Sequence, residues 1–249
     1  MDCLCTPSTG SGKKSWLLRL LYIARDLRSG EVFRALRRYC IGHVLDVGGW
    51  DFYLTAKRKG IPFAHWTNIE PGERRPEIRD EQYTFIQGDG CAMTFADNSF
   101  DTVLCIQVVE HTMDPMDMVR EIARVLKPKH HAIFLIPQTA NMHMAPQHFY
   151  NFTRFWSEEI MARAGLQIVE LIPLGGLWSS TASRLLYFFL QSLRLCKTSV
   201  PECRRNWLFY PLYPFMVLWA CVNIPVCMLL SLGDLSEEAN NHLVVVRKP

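Results

Sequence analysis

His43-Val44-Leu45-Asp46-Val47-Gly48-Gly49 is a short apolar run that carries one acid and ends in two glycines. An apolar strand of this kind suits the interior of a parallel sheet, where both faces are covered. The glycines that follow let a ligand approach the backbone at a distance a side chain would forbid. Outward from this run, strands and helices alternate. Phe63–Glu70 reads as a second strand, closed by an acid and Pro71-Gly72. Tyr83–Gln87 reads as a third, followed by Gly88-Asp89-Gly90, and Thr102–Gln107 as a fourth. Asp114 and Pro115 predict a helix start, Met118, Ile122, Val125 and Leu126 its buried face, and Pro128 its stop. Ala132–Ile136 is the fifth strand, Ser157 caps a helix that ends at Gly165, and Leu166–Ile172 is the sixth strand. This alternation predicts an α/β fold: a mostly parallel sheet with helices on both faces.

Two segments fall outside the pattern. Trp207–Leu232 is apolar throughout, has no charged residue, and contains Pro211, Pro214, Asn223 and Pro225. Its length suits a spanning helix, but the prolines argue against a straight one. Leu243-Val244-Val245-Val246 then reads as another strand. If that strand joins the same sheet, the chain must return to the side it left, which excludes a single crossing. Two crossings need about 40 residues. Three readings stand: a segment lying in or dipping into a membrane interface, a buried lid, and an apolar dimer face. Leu185–Leu195 is expected to join it.

The second segment is N-terminal. From Lys13 to Arg38 there are eight Lys/Arg and two Asp/Glu, a balance of +6 in a chain of net charge +3. Ser15 to Tyr39 reads as helical, broken near Ser29-Gly30, with one apolar face at Leu17, Leu20, Leu21 and Ala24 and another at Val32, Phe33, Leu36 and Tyr39. It either caps the core or lies on anionic lipid. Thr9-Gly10-Ser11-Gly12-Lys13-Lys14-Ser15 lacks the first glycine and the preceding strand of a phosphate loop. Nine cysteines with no CxxC pair predict buried thiols in a reducing compartment, with no disulfide framework and no metal site. Asp2 and the interruption at Arg19 predict no secretory signal.

In an open α/β sheet, ligands bind beyond the carboxyl ends of the strands. There the chain places Asp46, Gly48 and Gly49, then Glu70, then Asp89 and Gly90, then Gln107 to His111. Glu70 is spaced to accept both hydroxyls of a ribose, and Asp89 beside the Gly90 N–H to read an adenine edge. The ordered set resembles the class I S-adenosylmethionine-dependent methyltransferases of type 11. Val44-Leu45-Asp46-Val47-Gly48, Asn68-Ile69-Glu70, Gly88-Asp89-Gly90 with Phe95–Asp101, Val108-Val109-Glu110-His111 and Glu121–Pro128 carry the resemblance, over about His43 to Pro173. It implies a Rossmann-like seven-stranded sheet with an antiparallel last strand, and makes the apolar segment a helical insertion before that strand. Residues 1–40 are then a tail and basic helix, 41–174 the cofactor-binding core, 175–240 a membrane-interacting insertion and 241–249 the final strand. The implied cofactor is S-adenosylmethionine, held by Asp46, Gly48, Gly49, Glu70, Asp89, Gly90 and Gln107.

A narrower resemblance runs from His143 through Pro146, Phe149, Tyr150 and Phe152-Thr153-Arg154-Phe155. It is to bacterial methyltransferases of glycan or cell-envelope metabolism, though Gln147-His148 replaces their His-Asp pair. The first motif departs as well: Trp50 and Phe52 stand where the family has glycines. An alcohol or phenol acceptor needs a base, for which His111, His143 and His148 are the candidates; structural roles in the loops are open to all three. The leading expectation is a cytoplasmic, peripheral or monotopic membrane enzyme that methylates a small-molecule, lipid-linked or glycan acceptor. The alternative is a methyltransferase-like binding or scaffold protein without catalysis, supported by Trp50 and Phe52. A dinucleotide oxidoreductase is disfavoured by the missing third glycine. No nucleic-acid partner is expected, because the basic residues share a helix with apolar faces and are not interleaved with aromatics on a sheet.

Overall fold

The computed structural model describes residues 30–73, 76–192 and 205–249. Its centre is one seven-stranded sheet of order β3-β2-β1-β4-β5-β7-β6. The strands are β1 (His43–Val47), β2 (His65–Glu70), β3 (Tyr83–Gln87), β4 (Phe100–Ile106), β5 (Leu126–Pro137), β6 (Gln167–Leu174) and β7 (Asn241–Arg247). Neighbours from β3 through β5 pair in parallel. β7 runs antiparallel to both β5 and β6, between which it is inserted. The α/β class, the parallel centre and the antiparallel last strand are as the sequence predicts.

Helices cover both faces. α1 (Gly30–Tyr39) and α2 (Phe52–Arg58) enclose one apolar layer with Val44, Trp66, Leu104 and Ile133. α3 (Pro115–Val125) and α4 (Arg154–Arg163) enclose the other with Leu45, Val103, Phe134 and Val244. Val32, Phe33, Leu36 and Tyr39 are all buried. This half of the basic segment therefore caps the core. The expectations for the tail, for the phosphate-loop-like tract and for the face at Leu17–Ala24 lie outside the described residues.

Two local expectations are corrected. The N-cap of α4 is Thr153, whose hydroxyl accepts from Trp156 N–H; Ser157 is buried inside the helix, its Oγ without a hydrogen-bond partner. The two acids after Ser157 imitate a first turn, but the chain has already turned at Thr153. The apolar segment is helical, as expected for the insertion before the last strand: Phe209–Leu230 is one continuous helix, α6. Pro211 falls in its first turn, where main-chain N–H groups lack intrahelical partners anyway. Pro214 and Pro225 each remove one bond from 22 residues. Cys221, expected to be buried, is exposed on α6, while Cys40, Cys105 and Cys227 are buried.

α5 (Leu177–Ser192) packs along α6 to make a helical hairpin. At its base, Asp234 accepts from the N–H groups of Trp178 (2.7 Å) and Ser179 (2.9 Å), closing the start of α5. At the far end, Ser192 Oγ meets the Tyr213 hydroxyl at 3.1 Å, and Arg205 donates to the Ser192 carbonyl. α6 has a mean hydropathy of 2.2 in its most apolar window, and only 11% of that window is buried.

Candidate cofactor turn and histidine cluster

The double-glycine turn is built by β1 and held by alternate residues of β2. Asp46 is fully buried, and Trp66 Nε1 donates to its Oδ2 at 3.2 Å. Asn68 Nδ2 donates to the Trp50 carbonyl at 2.9 Å, and Glu70 Oε1 accepts the Trp50 N–H at 2.6 Å. Trp66, Asn68 and Glu70 share one face of β2 because side chains alternate along a strand. Three rungs of that face therefore grip the turn. Sequence reasoning had only the last of them. The signal for the others was the period-two placement of a donor and an amide just before the acid.

Both glycines are required, for different reasons. Gly48 has φ +67°, and a Cβ there would meet the Val108 methyls at 2.8 and 2.9 Å. At Gly49 a Cβ would fall 1.8 Å from Asp46 Oδ2. Trp50 keeps a left-handed backbone (φ 49°) although it is not glycine, at a cost of about 1 kcal/mol or more. Its side chain is 36% exposed. Phe52 turns away from the turn into the core, against Phe33 and Trp66.

Asp46 Oδ1 and Asn68 Oδ1 are buried acceptors without a hydrogen-bond partner. Burial, and then the charge of Glu70, raise the Asp46 carboxyl well above the usual carboxylate range, against the Trp66 hydrogen bond. Between about pH 4, where an unfolded aspartate releases its proton, and the higher value of the folded carboxyl, only the unfolded chain has lost that proton. Stability therefore falls as pH rises through this window, and no penalty exists below it. Asp46→Asn removes the penalty. The stability gap between variant and parent is expected to widen from pH 4 to pH 8 in urea titrations of the cofactor-free protein. A gap independent of pH would mean that Asp46 stays ionised in the fold.

The other predicted cofactor residues follow the carboxyl ends of β3 and β4. Asp89 Oδ1 accepts from Cys91 N–H at 2.8 Å. Gly90 packs so closely that a Cβ would meet Val47 at 2.9 Å and Met118 at 3.0 Å. Gln107 has φ 56° and directs its amide to Asn241 Oδ1 (3.1 Å), at the start of β7.

Beyond β4 and β5 the chain converges His111, His143 and His148, whose ligand atoms all lie within 4.8 Å of one another. Cysteine spacing predicted no metal site, and spacing of any kind could not reveal three histidines drawn from two loops. The loop after β5 is clamped to the turn after β4: Phe149 N–H donates to the Glu110 carbonyl (2.9 Å) and the Tyr150 hydroxyl to the Met113 carbonyl (3.2 Å). His111 Nδ1 lies 2.8 Å from the Gln147 carbonyl, and His143 Nδ1 lies 2.9 Å from the Asn141 carbonyl. Burial lowers the pKa of both rings, that of His143 to about 4. Beneath them Glu110 has no exposed surface, and burial pushes its carboxyl up to about 8. Glu110 appeared in the sequence only as part of a motif string. An acid placed directly after Val108-Val109 was the clue that it is buried.

A seven-stranded sheet of this order, with a glycine turn after β1 and an acid ending β2, defines a Rossmann-like domain for a nucleotide-type cofactor. Comparisons narrow the class. Residues 29–134 match the methyltransferase domain family of type 11, so this part of the chain carries a methyltransferase domain. A methyltransferase of Mycobacteroides abscessus is 35% identical over 93 residues, which are 34% of this chain and 36% of that protein. An O-methyltransferase of Penicillium expansum is 32% identical over 95 residues, 34% of each chain. The chain thus spans about a third of the length of the curated relatives it matches. Among solved structures, phosphoethanolamine N-methyltransferase 2 of Haemonchus contortus in complex with S-adenosyl-L-methionine superposes with a TM-score of 0.55 at 16% identity, over 98% of this chain and 61% of that one. The S-adenosylmethionine-dependent methyltransferase of Mesorhizobium loti gives 0.52 at 12%, over 88% and 97%. The [4+2]-cyclase SpnF gives 0.56 at 17%, over 97% and 85%. The fold is that of the class I S-adenosylmethionine-dependent methyltransferases, and the same fold also carries other chemistry.

Proposed function

We propose that this protein is an S-adenosylmethionine-dependent methyltransferase that works at a membrane surface on a lipidic or lipid-linked acceptor, such as a polyprenyl-linked glycan or a quinone-like molecule. The observation that carries the reading is the join between the apolar hairpin and the loop that bears His143. Thr139 Oγ1 meets Ser180 Oγ at 2.8 Å, Asn141 Nδ2 donates to Ser183, and the Tyr187 hydroxyl donates to the Met142 carbonyl. An acceptor whose apolar tail follows α5 and α6 would bring its polar end to the histidines. A monotopic hairpin, with the core on the cytoplasmic side, accounts for the return of the chain to β7 in the same sheet.

The turn fits the cofactor. The bare Gly48-Gly49 backbone admits close approach, Glu70 offers a carboxylate for ribose hydroxyls, and Asp89 with Gly90 is set to meet an adenine edge. Bound there, the cofactor supplies a methyl group activated by its sulfonium charge. The chain's own part is orientation and removal of a proton from an acceptor hydroxyl by the cluster of His111, His143 and His148. The O-methyltransferase among the relatives favours oxygen as the receiving atom. Retention of the orphaned acceptors and the bare turn favours an active enzyme over a scaffold that has lost catalysis.

Isothermal titration with S-adenosylhomocysteine tests the cofactor: stoichiometric binding is expected, weakened about 10- to 100-fold in Glu70→Ala through loss of charge-assisted hydrogen bonds. Absence of binding by the folded protein sinks the reading. Transfer of a radiolabelled methyl group from the cofactor into membrane extracts tests the acceptor. Label is expected in the organic phase, and label confined to the aqueous phase rejects a lipidic acceptor.

A further inference from the structure

The histidine cluster admits a second role, in which its lone pairs hold a cation and the proton of an acceptor hydroxyl is released by that cation in place of a histidine base. A carbonyl oxygen only accepts, so His111 Nδ1 and His143 Nδ1 hold the protons they give to Gln147 and Asn141. In neutral rings each Nε2 is then a bare lone pair. These two lone pairs face each other at 3.1 Å. Glu110 Oε1 lies 3.8 Å from both, and neither Glu110 oxygen has a hydrogen-bond donor although the side chain is fully buried. Two imidazole lone pairs and the Glu110 carboxyl thus converge without a hydrogen bond to Glu110 among the described residues, and a cation would displace the carboxyl proton. His148 is not a fourth: its Nδ1 faces the His143 N–H at 3.3 Å and so accepts, which leaves the proton on Nε2.

We propose that Glu110, His111 and His143 form a binding site for one first-row divalent cation of the zinc type, with His148 as a positioning residue that orients His143. Ligand bonds of about 2.0–2.1 Å at a tetrahedral centre put neighbouring nitrogens about 3.3 Å apart, close to the separation seen between the two Nε2 atoms. The carboxylate must come about 0.5 Å nearer, within reach of a small rotation of its side chain. Each ring's other N–H is already tied to a main-chain carbonyl, the outer-shell arrangement that fixes the tautomer of a ligating histidine. Two imidazoles and one carboxylate suit zinc and its neighbours, whereas magnesium and calcium take oxygen ligands. The His111 and His143 side chains keep 13% and 12% exposure, so an ion has a way in. The remaining coordination position is available to water or an acceptor hydroxyl, whose pKa the cation would lower.

The site lies close to the cofactor turn: His111 is three residues past Val108, the side chain that a Cβ on Gly48 would strike. The use of the cation in methyl transfer rests on the function proposed above; the cation site itself rests on geometry alone.

The test is a titration of metal-stripped full chain with Zn2+ against a chromophoric chelator, with S-adenosylhomocysteine binding measured on the same samples. One tight equivalent is expected. His111→Ala and His143→Ala should each weaken it by about 100-fold or more, and His130→Ala, outside the cluster, should leave it unchanged. X-ray absorption of the zinc-loaded wild type needs no variant, and should show nitrogen and oxygen neighbours only. Failure to bind one equivalent, undiminished binding in the double variant His111→Ala/His143→Ala, or a sulfur shell each overturns the site. Zinc binding without S-adenosylhomocysteine binding would retain this site and sink the methyltransferase reading; the reverse result would do the opposite.

Discussion

Gly49→Ala is expected to abolish S-adenosylhomocysteine binding and to destabilise the fold by about 2–4 kcal/mol. The added Cβ would fall 1.8 Å from Asp46 Oδ2, 2.1 Å from Cγ and 2.3 Å from Oδ1. The carboxylate has nowhere to go. Asp46 is paired on both sides within the sheet, to Asn68 of β2 and Leu104 of β4, and Trp66 holds its side chain. The main chain must open by more than 1 Å, and that movement breaks the grip of Asn68 and Glu70 on Trp50. Gly60→Ala is the control. Gly60 has φ +67° and no atom within 4 Å of an added Cβ, so only the backbone term of about 1 kcal/mol is lost. Calorimetric titration and urea unfolding of both variants check this. Gly49→Ala binding within threefold of the parent would mean that the turn is not the cofactor site.

The second large effect is on partition. Leu218, Trp219 and Val222 on α6 are 65%, 58% and 56% exposed. Side chains of this size gain roughly 1.5–3 kcal/mol each when buried, and charged residues in their place carry a desolvation penalty instead. Converting all three to Glu should move the protein from the floating fraction to the soluble one in liposome flotation, a change of several orders of magnitude in partition. Cofactor binding should persist, because none of the three touches the sheet's apolar layers. A parent chain that stays soluble with liposomes, yet loses dimerisation on the same substitutions, would assign the surface to a protein partner.

The parallel centre of the sheet was legible because its strands are apolar on both faces and are punctuated by glycine, proline and acids. α2 was not, since seven residues give too little periodicity to separate from a loop. α6 was legible as an apolar helical insertion from its uninterrupted run of uncharged residues. Its prolines argued only against a straight span: one falls where its missing N–H costs nothing, and the other two each remove a single bond. For the candidate cofactor turn, the sequence pointed to Asp46, Gly48, Gly49 and Glu70, all close to the first strand. What it withheld was convergence. Gln147 acts through its carbonyl, which no side-chain pattern encodes, and the facing of His111 and His143 depends on how two loops clamp together.

The placement of β7 has a consequence for how the protein comes into being. Among the described residues β6 pairs only with β7, and β7 is separated from it by the whole apolar hairpin. On a ribosome, β6 therefore emerges with no neighbour and waits while roughly 70 residues follow, including the most oily stretch of the chain. During that interval β5 and β6 both present open edges, and α5 and α6 have no finished base to stand on. If the hairpin engages lipid, it does so while the sheet is still unclosed, so a membrane or a chaperone would be the natural custodian of the half-made chain.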